Sequence, residues 1–354
     1  MPRTANTSVL EELRRRINRR TYERGEFLPS ERQLADELGV GRCVIRGALS
    51  KLRQEGLAYR VPGKGLCVAR HEPSGFAQVL VMSPAISAHP YEQLGLIAHA
   101  CQYFDKRSVT PLIIFGEYGN PLNLPCVTSM LRNHHVDGLL LLEVVVSQAA
   151  YDSLRKAVSL PMVHVNQERF FGCCCCRVDF RGVGRLAGQR LLASGHRSIG
   201  AISGPLELPI YHELLAGFRG ALAEEEVYLR NEDILPLHPT LTPESYRSIL
   251  DYLRRPDRPS ALFTMRDRRA DFLYRAAGEL GIRIPEQLSV ISFDNTTWPD
   301  AASMGLTTIQ QPLDRLSCGG AEMLMQYCLE GTPPESRLVS GSIVERASIL
   351  QRLS

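Results

Sequence analysis

The feature that most constrains the fold is a pair of short helical patterns separated by one glycine, within residues 30–54. Ser30, followed three positions later by Gln33, is a capping-box signature that predicts the start of the first helix. Gly39 then ends this helix and permits the tight turn that a helix-turn-helix requires. The second helix is predicted over 42–54. Its inward face consists of Ile45, Leu49 and Leu52.

Two flanking segments complete this unit. Upstream, apolar residues at helical spacing predict an amphipathic helix over about 8–20. Downstream, residues 56–68 have the pattern of two short strands around a Gly-Lys-Gly tip, which predicts a β-hairpin wing. The outward face of the second helix begins with Arg42, Cys43 and Arg46, where a recognition helix meets base edges and phosphates.

The distribution of charge agrees with a polyanionic partner for this unit only. Residues 1–72 have 15 Lys and Arg against 9 Asp and Glu, a net charge of +6. The remaining residues have a net charge of −3, so the whole chain has +3. A small basic module on a mildly acidic body is typical of a protein with a separate nucleic-acid-binding domain.

The segment LPSERQLADELGVGRCVIRGALSKLRQEGLAYRVPGKGLCV, residues 28–68, resembles the GntR-type winged helix over nearly its whole length. The resemblance implies a domain that binds double-stranded DNA, with Arg42 and Arg46 in the major groove. Gly41 and Val44 replace the usual Ser and Thr of the family, which affects the operator sequence rather than DNA binding. The implied DNA-contacting residues are Arg32 near the backbone, Arg42, Cys43, Arg46, and Lys64 with Gly65 near the minor groove.

From residue 76 onward, short apolar runs alternate with longer amphipathic segments. Runs such as AQVLVMS, DGLLLLE and LSVISF predict buried strands. The intervening helices are predicted near 90–106, 123–135, 147–158, 180–194, 211–226 and 266–280. This alternation is typical of doubly wound α/β folds with parallel sheets. Two successive sets predict two lobes, and ligands of such folds bind beyond the carboxyl ends of the strands.

Several segments of this body resemble the LacI/GalR-type sensor, which shares the fold of periplasmic sugar-binding proteins. The matching segments are VDGLLLL (136–142), RVDFRGVGRLAGQRLLASGHRSIGAISGP (177–205), LLAGFRGAL (214–222), IRIPEQLSVISFDN (282–295) and LTTIQQPLDRLSCGGAEML (306–324). A GntR-type head on such a body is similar to the arabinose-responsive repressors. The resemblance implies a transcription regulator, which we expect to be a repressor. It also makes a carbohydrate the leading class of effector.

The resemblance also implies how the chain is divided. The head is expected over 1–72 and the sensor over 76–354. Within the sensor, lobe 1 is expected at about 76–167 and 306–331, and lobe 2 at about 178–300 and 338–350. The implied hinge crossings lie near 167–178, 296–306 and 331–340. We expect a cytoplasmic homodimer that binds an inverted repeat, because two-fold protein symmetry implies operator symmetry.

Polar residues at the predicted strand ends are the candidate effector contacts. The set is Ser83, Tyr91, Asn166, His212, Arg266, Asp267, Asp294, Trp298 and Gln311. Asp294 can accept two hydroxyl protons of a sugar, and Trp298 either stacks on the ring or packs in the ordinary way. Arg266 suits an acidic or phosphorylated sugar, or it forms a salt bridge to Asp294. His212 belongs to a segment that lacks the arginine that many family members have there.

Four consecutive cysteines, Cys173 to Cys176, support an alternative hypothesis of a thiol- or metal-responsive regulator. Structural zinc sites use spaced pairs, and adjacent side chains of an extended segment point apart, so the run is not a metal-site pattern. Gly182, Gly184 and Gly188 imitate a dinucleotide fingerprint with the wrong spacing, which favours close helix packing. We therefore expect no metal, no cofactor and no enzymatic activity. The longest apolar run is too short to span a membrane, and no secretory signal is evident.

Overall fold

The computed structural model describes residues 5–18, 21–22, 25–54, 57–61, 65–68, 77–84, 90–116, 136–143, 152, 160–166, 174–295 and 302–352. Within these ranges, no helix combines the length and the apolar character needed to cross a membrane. The described residues form a helical N-terminal domain and two six-stranded sheets, each with helices packed against it.

The N-terminal domain has three helices and a two-stranded wing, as the sequence predicts. Its elements are α1 (Ala5–Asn18), α2 (Glu31–Leu38), α3 (Arg42–Gln54), β1 (Ala58–Val61) and β2 (Gly65–Val68). Ser30 caps α2, since its Oγ accepts from the Gln33 backbone N–H at 3.3 Å and the Gln33 side chain accepts from the Ser30 N–H at 2.9 Å. Gly39 ends α2 in the left-handed conformation, with φ of 65°. The fully buried residues of its core include Leu13, Leu34, Ile45 and Leu52.

The rest of the chain alternates strands and helices. In chain order the elements are β3 (Ala77–Pro84), α4 (Pro90–Asp105), β4 (Val109–Gly116), β5 (Gly138–Leu142), β6 (Met162–Val165), β7 (Cys174–Val178), α5 (Phe180–Ala193), β8 (Ile199–Ser203), α6 (Pro209–Glu224), β9 (Ile234–Pro236), α7 (Pro243–Arg254), β10 (Ala261–Thr264), α8 (Asp267–Glu279), β11 (Ser289–Asp294), β12 (Thr307–Gln310), α9 (Leu313–Glu330), β13 (Arg337–Val339) and β14 (Ser342–Val344).

The first sheet has the strand order β13-β7-β6-β5-β3-β4, and all its pairings are parallel. The second has the order β14-β12-β11-β10-β8-β9, in which only the edge strand β14 is antiparallel. The strands β5, β6 and β7 are buried along their whole length, because α9 packs across them. These sheets are the cores of the two lobes and confirm the predicted doubly wound α/β class.

The strand pairings correct the predicted lobe limits. The strand β12 pairs with β11 in the second sheet, although the sequence placed residues from 306 onward in lobe 1. The chain therefore passes between the sheets at 178–180, 310–313 and 339–342, each time directly after a paired strand. The predicted crossings at 167–178 and 331–340 overlap the observed ones at their last residues. The one predicted at 296–306 comes too early, because the chain first adds β12 to the second sheet. The predicted boundary between head and sensor, at 72–76, lies outside the described residues.

Most predicted helices of the body have their counterparts. Those near 90–106, 180–194, 211–226 and 266–280 are confirmed as α4, α5, α6 and α8. Those near 123–135 and 147–158 lie outside the described residues, Asp152 excepted. The glycines of α5 do serve close packing: a Cβ at Gly184 would lie 1.9 Å from the Leu214 carbonyl oxygen of α6.

Candidate DNA interface and ligand cleft

The helix α3 presents the polar face that the sequence predicts. Arg42, Cys43 and Arg46 are exposed on its first turns, while Ile45 is fully buried. The Arg46 guanidinium is paired with Glu31 at the start of α2, with 2.9 Å between Nη2 and Oε2. This hydrogen bond lowers the pKa of the Glu31 carboxyl below its ordinary value. The face is therefore cationic, and one of its cations has an internal partner in the absence of DNA.

The other predicted DNA contacts surround this face. Arg32 on α2 has 76% of its side chain exposed and lies 3.9 Å from the Asp36 carboxylate, so it is free to reach a phosphate. Gly65 opens β2 with φ of 115°, a conformation that side chains disfavour. Lys64, at the tip of the wing, lies outside the described residues.

The cleft is formed by polar residues at the carboxyl ends of strands from both sheets. Glu143 and Asn166 follow β5 and β6 of the first sheet, and Arg266 and Asp294 follow or end β10 and β11 of the second. Gln311 follows β12, at the second crossing between the sheets. The sequence predicted four of these five residues, and the structure brings the four together.

Hydrogen bonds join these residues across the cleft. The Asn166 Nδ2 group donates to Glu143 Oε1 at 2.7 Å and to Gln311 Oε1 at 3.2 Å. The Gln311 Nε2 group in turn donates to Asp294 Oδ1 at 2.8 Å. The same oxygen accepts from Arg266 Nη1 at 3.2 Å, so the salt bridge predicted as one of two roles for Arg266 is present. A continuous polar chain thus runs from one lobe to the other.

The backbone of this chain of residues is strained. Glu143, Asn166, Arg266 and Asp294 have φ of 51°, 57°, 107° and 129°, in the region that favours glycine. Each such residue costs on the order of 1–3 kcal/mol, and such strain concentrates at ligand sites. The strain therefore supports a role in binding for these positions.

Burial also shifts the acids of the cleft. It raises the pKa of Asp294, although the neighbouring Arg266 and Gln311 act in the opposite direction. Burial likewise raises the pKa of Glu143, which is only partly offset by the Asn166 hydrogen bond. The Asn166 Oδ1 atom and the Ser83 Oγ atom are buried and have no hydrogen-bond partner among the described residues. These atoms are available to a ligand with hydroxyl groups.

The other predicted effector contacts are not part of the polar chain across the cleft. Asp267 is buried and accepts a hydrogen bond from Thr308 Oγ1 at 2.7 Å, so this carboxylate holds α8 against β12. His212 is exposed on α6. Tyr91 lies in the first turn of α4, and Trp298 lies outside the described residues.

The sequence also missed two features of the cleft. Glu143 is not among the predicted effector contacts, although it directly follows a strand. Arg269 in α8 is only 3% exposed and places its guanidinium carbon 4.9 Å from the centre of the Tyr211 ring. Nothing in the helical pattern indicates that this arginine, rather than its neighbour Arg268, is the buried one.

The cysteine run is part of the core. Cys174 to Cys176 belong to the buried strand β7, which is not among the predicted strands, and Cys173 lies outside the described residues. Burial raises the pKa of the Cys176 thiol to about 11, which disfavours the reactive thiolate. Among the described residues, no group of three His, Cys, Asp or Glu could hold a metal ion. The run fills the core as small apolar side chains.

Comparisons with known proteins support both the GntR-type head and the sensor fold of the body. Residues 5–68 match the family model of bacterial regulatory proteins of the gntR family, and residues 189–349 match the periplasmic binding protein-like domain. The HTH-type transcriptional repressor PurR of Escherichia coli O139:H28 (strain E24377A / ETEC) is 32% identical over 243 residues, which cover 67% of this chain and 70% of that protein.

Solved structures share the fold of the body. A regulatory protein of the LacI family from Chloroflexus aggregans has a TM-score of 0.68 at 20% identity, covering 77% of this chain and 98% of the other. A LacI family transcriptional regulator from Enterococcus faecium, solved with bound ribose, has a TM-score of 0.61 at 23% identity, covering 78% and 100%.

Proposed function

The chain is a transcriptional repressor of the LacI/PurR family with a GntR-type head, and from this premise we propose that a carbohydrate in the cleft between its lobes controls its binding to an inverted-repeat operator. The observation that carries the proposal is the polar chain Asn166–Gln311–Asp294, which links the two lobes where such folds bind ligands. The ligand relieves repression. The protein acts in the cytoplasm, where its operator is.

The donors and acceptors of the cleft support a carbohydrate. Sugar hydroxyls both donate and accept, and the cleft offers carboxylate, amide and hydroxyl groups at neighbouring strand ends. Within the part of the chain that the structure describes, the buried Asn166 Oδ1 and Ser83 Oγ atoms have no partner, and each would gain one from a hydroxyl group. The Enterococcus faecium relative was solved with ribose, a member of this class.

Closure of the lobes is the means by which the ligand acts on the head. A ligand that contacts Asn166 from one lobe and Asp294 from the other favours one angle between the sheets. In a dimer that angle sets the spacing of the two heads, and such coupling is typically worth about 1–3 kcal/mol. Arg42 and Arg46 of each head contact one half-site.

Exposed apolar side chains support a homodimer that pairs through the first lobe. Leu94 on α4 and Ile113 and Phe115 on the edge strand β4 are 47%, 42% and 44% exposed. Monomeric proteins rarely expose a large contiguous apolar patch without an interface, and we propose that these side chains form one. The variant Phe115→Asp is expected to be monomeric by sedimentation, while Tyr228→Asp, at an exposed site of the second lobe, remains a dimer.

The test combines a ligand screen with DNA binding. The purified chain is screened by thermal shift against sugars, sugar acids, sugar phosphates and nucleosides, because a ligand of the folded state raises the unfolding midpoint. The ligand found is then titrated against Asp294→Asn, which is expected to lose its response, and added to a DNA fragment selected from random sequence. Release of DNA by the wild type but not by Asp294→Asn supports the proposal. A thermal shift from nucleosides alone, without any from sugars, contradicts it.

The head is tested separately on the same DNA fragment. Arg42→Ala and Arg46→Ala are each expected to weaken binding about tenfold to a hundredfold, the loss of one bidentate base or phosphate contact. Arg53→Ala, an equal change of charge at the exposed far end of α3, is the matched control. Equal losses for all three variants would mean that only net charge matters.

A further inference from the structure

Among the described residues, Arg269 is a buried cation with few hydrogen-bond acceptors around its guanidinium. It lies in the first turn of α8, and its Nη1 group donates to the Met265 carbonyl oxygen at 3.2 Å. Its Nε and Nη2 atoms are buried and have no acceptor among the described residues. Burial of the side chain lowers the pKa of Arg269, since the charged form loses its water, although the adjacent Tyr211 hydroxyl acts in the opposite direction. A buried charge in this state costs several kcal/mol unless something supplies the missing acceptors.

The carboxylates near Arg269 have other partners. Asp294 directs its Oδ1 atom to Arg266 and Gln311. Asp267, two residues earlier on α8, accepts from Thr308. In the first lobe, Glu143 accepts from Asn166.

The surroundings of Arg269 are built to hold it in place. Its guanidinium carbon lies over the Tyr211 ring, 4.9 Å from the ring centre. Gly204, directly after β8, leaves room for both groups, because a Cβ there would lie 2.3 Å from the ring and 2.8 Å from Arg269 Nη2. Glycine, ring and guanidinium therefore form one arrangement at the carboxyl end of β8. This is the edge of the second sheet that faces the cleft.

The start of α8 adds to the positive character of this place. The N-cap residue, Arg266, makes no side-chain capping hydrogen bond, although the Arg269 backbone N–H donates to the Arg266 carbonyl oxygen at 3.0 Å. A helix of 13 residues has a partial positive charge at this end. A helix start without a side-chain cap, beside the buried Arg269 and its few acceptors, is a combination suited to an anion.

We propose that the effector is a polyhydroxylated acid, a sugar acid or a sugar phosphate, whose anionic group is bound by Arg269 beside Tyr211 and Gly204. This inference rests on the proposed function and adds that the sugar is negatively charged. The hydroxyl groups of the ligand meet the acceptors at Asn166 and Ser83 of the first lobe. The acid group meets Nε and Nη2 of Arg269 in the second lobe, as a bidentate pair. One ligand thereby contacts hydrogen-bond acceptors on the first lobe and a cation on the second.

The test uses calorimetric titration of the full chain with matched compounds: neutral hexoses and pentoses, and their aldonic, uronic and phosphorylated derivatives. The wild type is expected to bind one acid at least about tenfold more tightly than its neutral parent. Comparison of the carboxylates with the phosphates identifies which anion the site takes. A neutral parent that binds as tightly as its acids overturns the inference.

Variants locate the anion. Arg269→Gln is expected to weaken the acid about tenfold to a hundredfold and to leave the neutral parent within about threefold, because only the charged contact is lost. Arg268→Gln, the exposed neighbour on the same helix, is the matched control and retains both affinities. Unchanged acid affinity in Arg269→Gln overturns the inference. If that variant does not fold, Arg269→Lys, which retains the charge without the fork, is expected to weaken the acid selectively.

These outcomes separate the inference from the function beneath it. A neutral sugar that binds the wild type and is lost in Asp294→Asn, with no preference for its acids, overturns the role of Arg269 and leaves the carbohydrate effector in place. Binding of no compound in the panel overturns both. An acid that binds but is insensitive to Arg269→Gln places the anion elsewhere in the cleft.

Discussion

Arg177 on β7 of the first lobe forms a bidentate ion pair with Glu213 on α6 of the second lobe. Its Nη1 and Nη2 groups donate to the two carboxylate oxygens at 2.8 Å and 3.2 Å. The arginine side chain is 7% exposed, whereas that of the glutamate is 34% exposed. The ion pair therefore links the two lobes, and the arginine is its buried member.

Removal of the acid from this pair is expected to destabilise the sensor. Glu213→Gln leaves the buried Arg177 without its counter-charge, at a cost of about 2 kcal/mol in the free energy of unfolding by urea. The control is Glu224→Gln, which breaks the exposed pair with Arg185, and surface pairs are worth about 0–1 kcal/mol. Similar losses for both variants would mean that the Arg177 pair is energetically an ordinary surface contact.

The pair between Glu31 and Arg46 leads to a prediction for DNA affinity. Glu31→Gln removes the carboxylate that competes with DNA for Arg46, and it also removes a charge that repels phosphates. Affinity for DNA, measured by fluorescence anisotropy, is expected to increase up to about tenfold, with a steeper dependence on salt. Glu37→Gln makes the same change of charge on the same helix, away from Arg46, and serves as the control. A weaker complex with Glu31→Gln would instead mean that the acid holds Arg46 in its binding position.

The buried His164 predicts a loss of stability in acid. This residue of β6 is fully buried, and burial lowers its pKa from 6.5 to about 4. Between these values the unfolded chain binds a proton that the folded chain does not. Stability that is complete above pH 6.5 is therefore lost as the pH falls toward 4, by about 2–3 kcal/mol at pH 4.5.

The measurement is urea unfolding at pH 7 and pH 4.5. His164→Leu cannot titrate, so its loss of unfolding free energy between the two pH values should be smaller than that of the wild type by this amount. His238→Leu, at an exposed position, should lose as much as the wild type. Equal losses in all three proteins would contradict the assignment to His164. Asp294 and Glu143, whose pKa values are raised, act in the opposite direction in every one of them.

The strained backbone at Asn166 makes a further prediction. With φ of 57°, this position tolerates Asn or Gly far better than a β-branched residue. Asn166→Val is expected to unfold more easily than Asn166→Gly by about 1–2 kcal/mol. Both variants lose the hydrogen bonds to Glu143 and Gln311, so both should lose ligand affinity alike. Calorimetric scanning measures the first effect and ligand titration the second.

Local signals predicted the head well because its elements depend on neighbours in the sequence. The capping pair of Ser30 and Gln33 and the turn at Gly39 are contacts within a few residues, and the structure has them as predicted. The strand ends of the sensor were predicted for the same reason, since polar residues such as Asp294 directly follow apolar runs. The two successive sets of alternating apolar runs and helical segments predicted the two lobes.

What the sequence did not predict depends on contacts between distant residues. That β12 belongs to the second sheet follows from its pairing with β11, and no local pattern encodes a strand's partner. The cysteine strand was missed because Cys174 to Cys176 do not have the β-branched composition by which strands are recognised. The burial of Arg269 depends on Tyr211 and Gly204, which are distant in sequence from α8.

The left-handed backbone at Glu143, Asn166, Arg266 and Asp294 has a consequence for anyone who adapts this chain as a biosensor. Selection for heat tolerance would favour glycine at these four positions, since glycine adopts such angles without steric cost. Every such replacement would remove a side chain that takes part in the polar chain across the cleft. A variant stabilised in this way would resist heat but would no longer respond to the effector, so stabilising substitutions have to be made elsewhere in the fold.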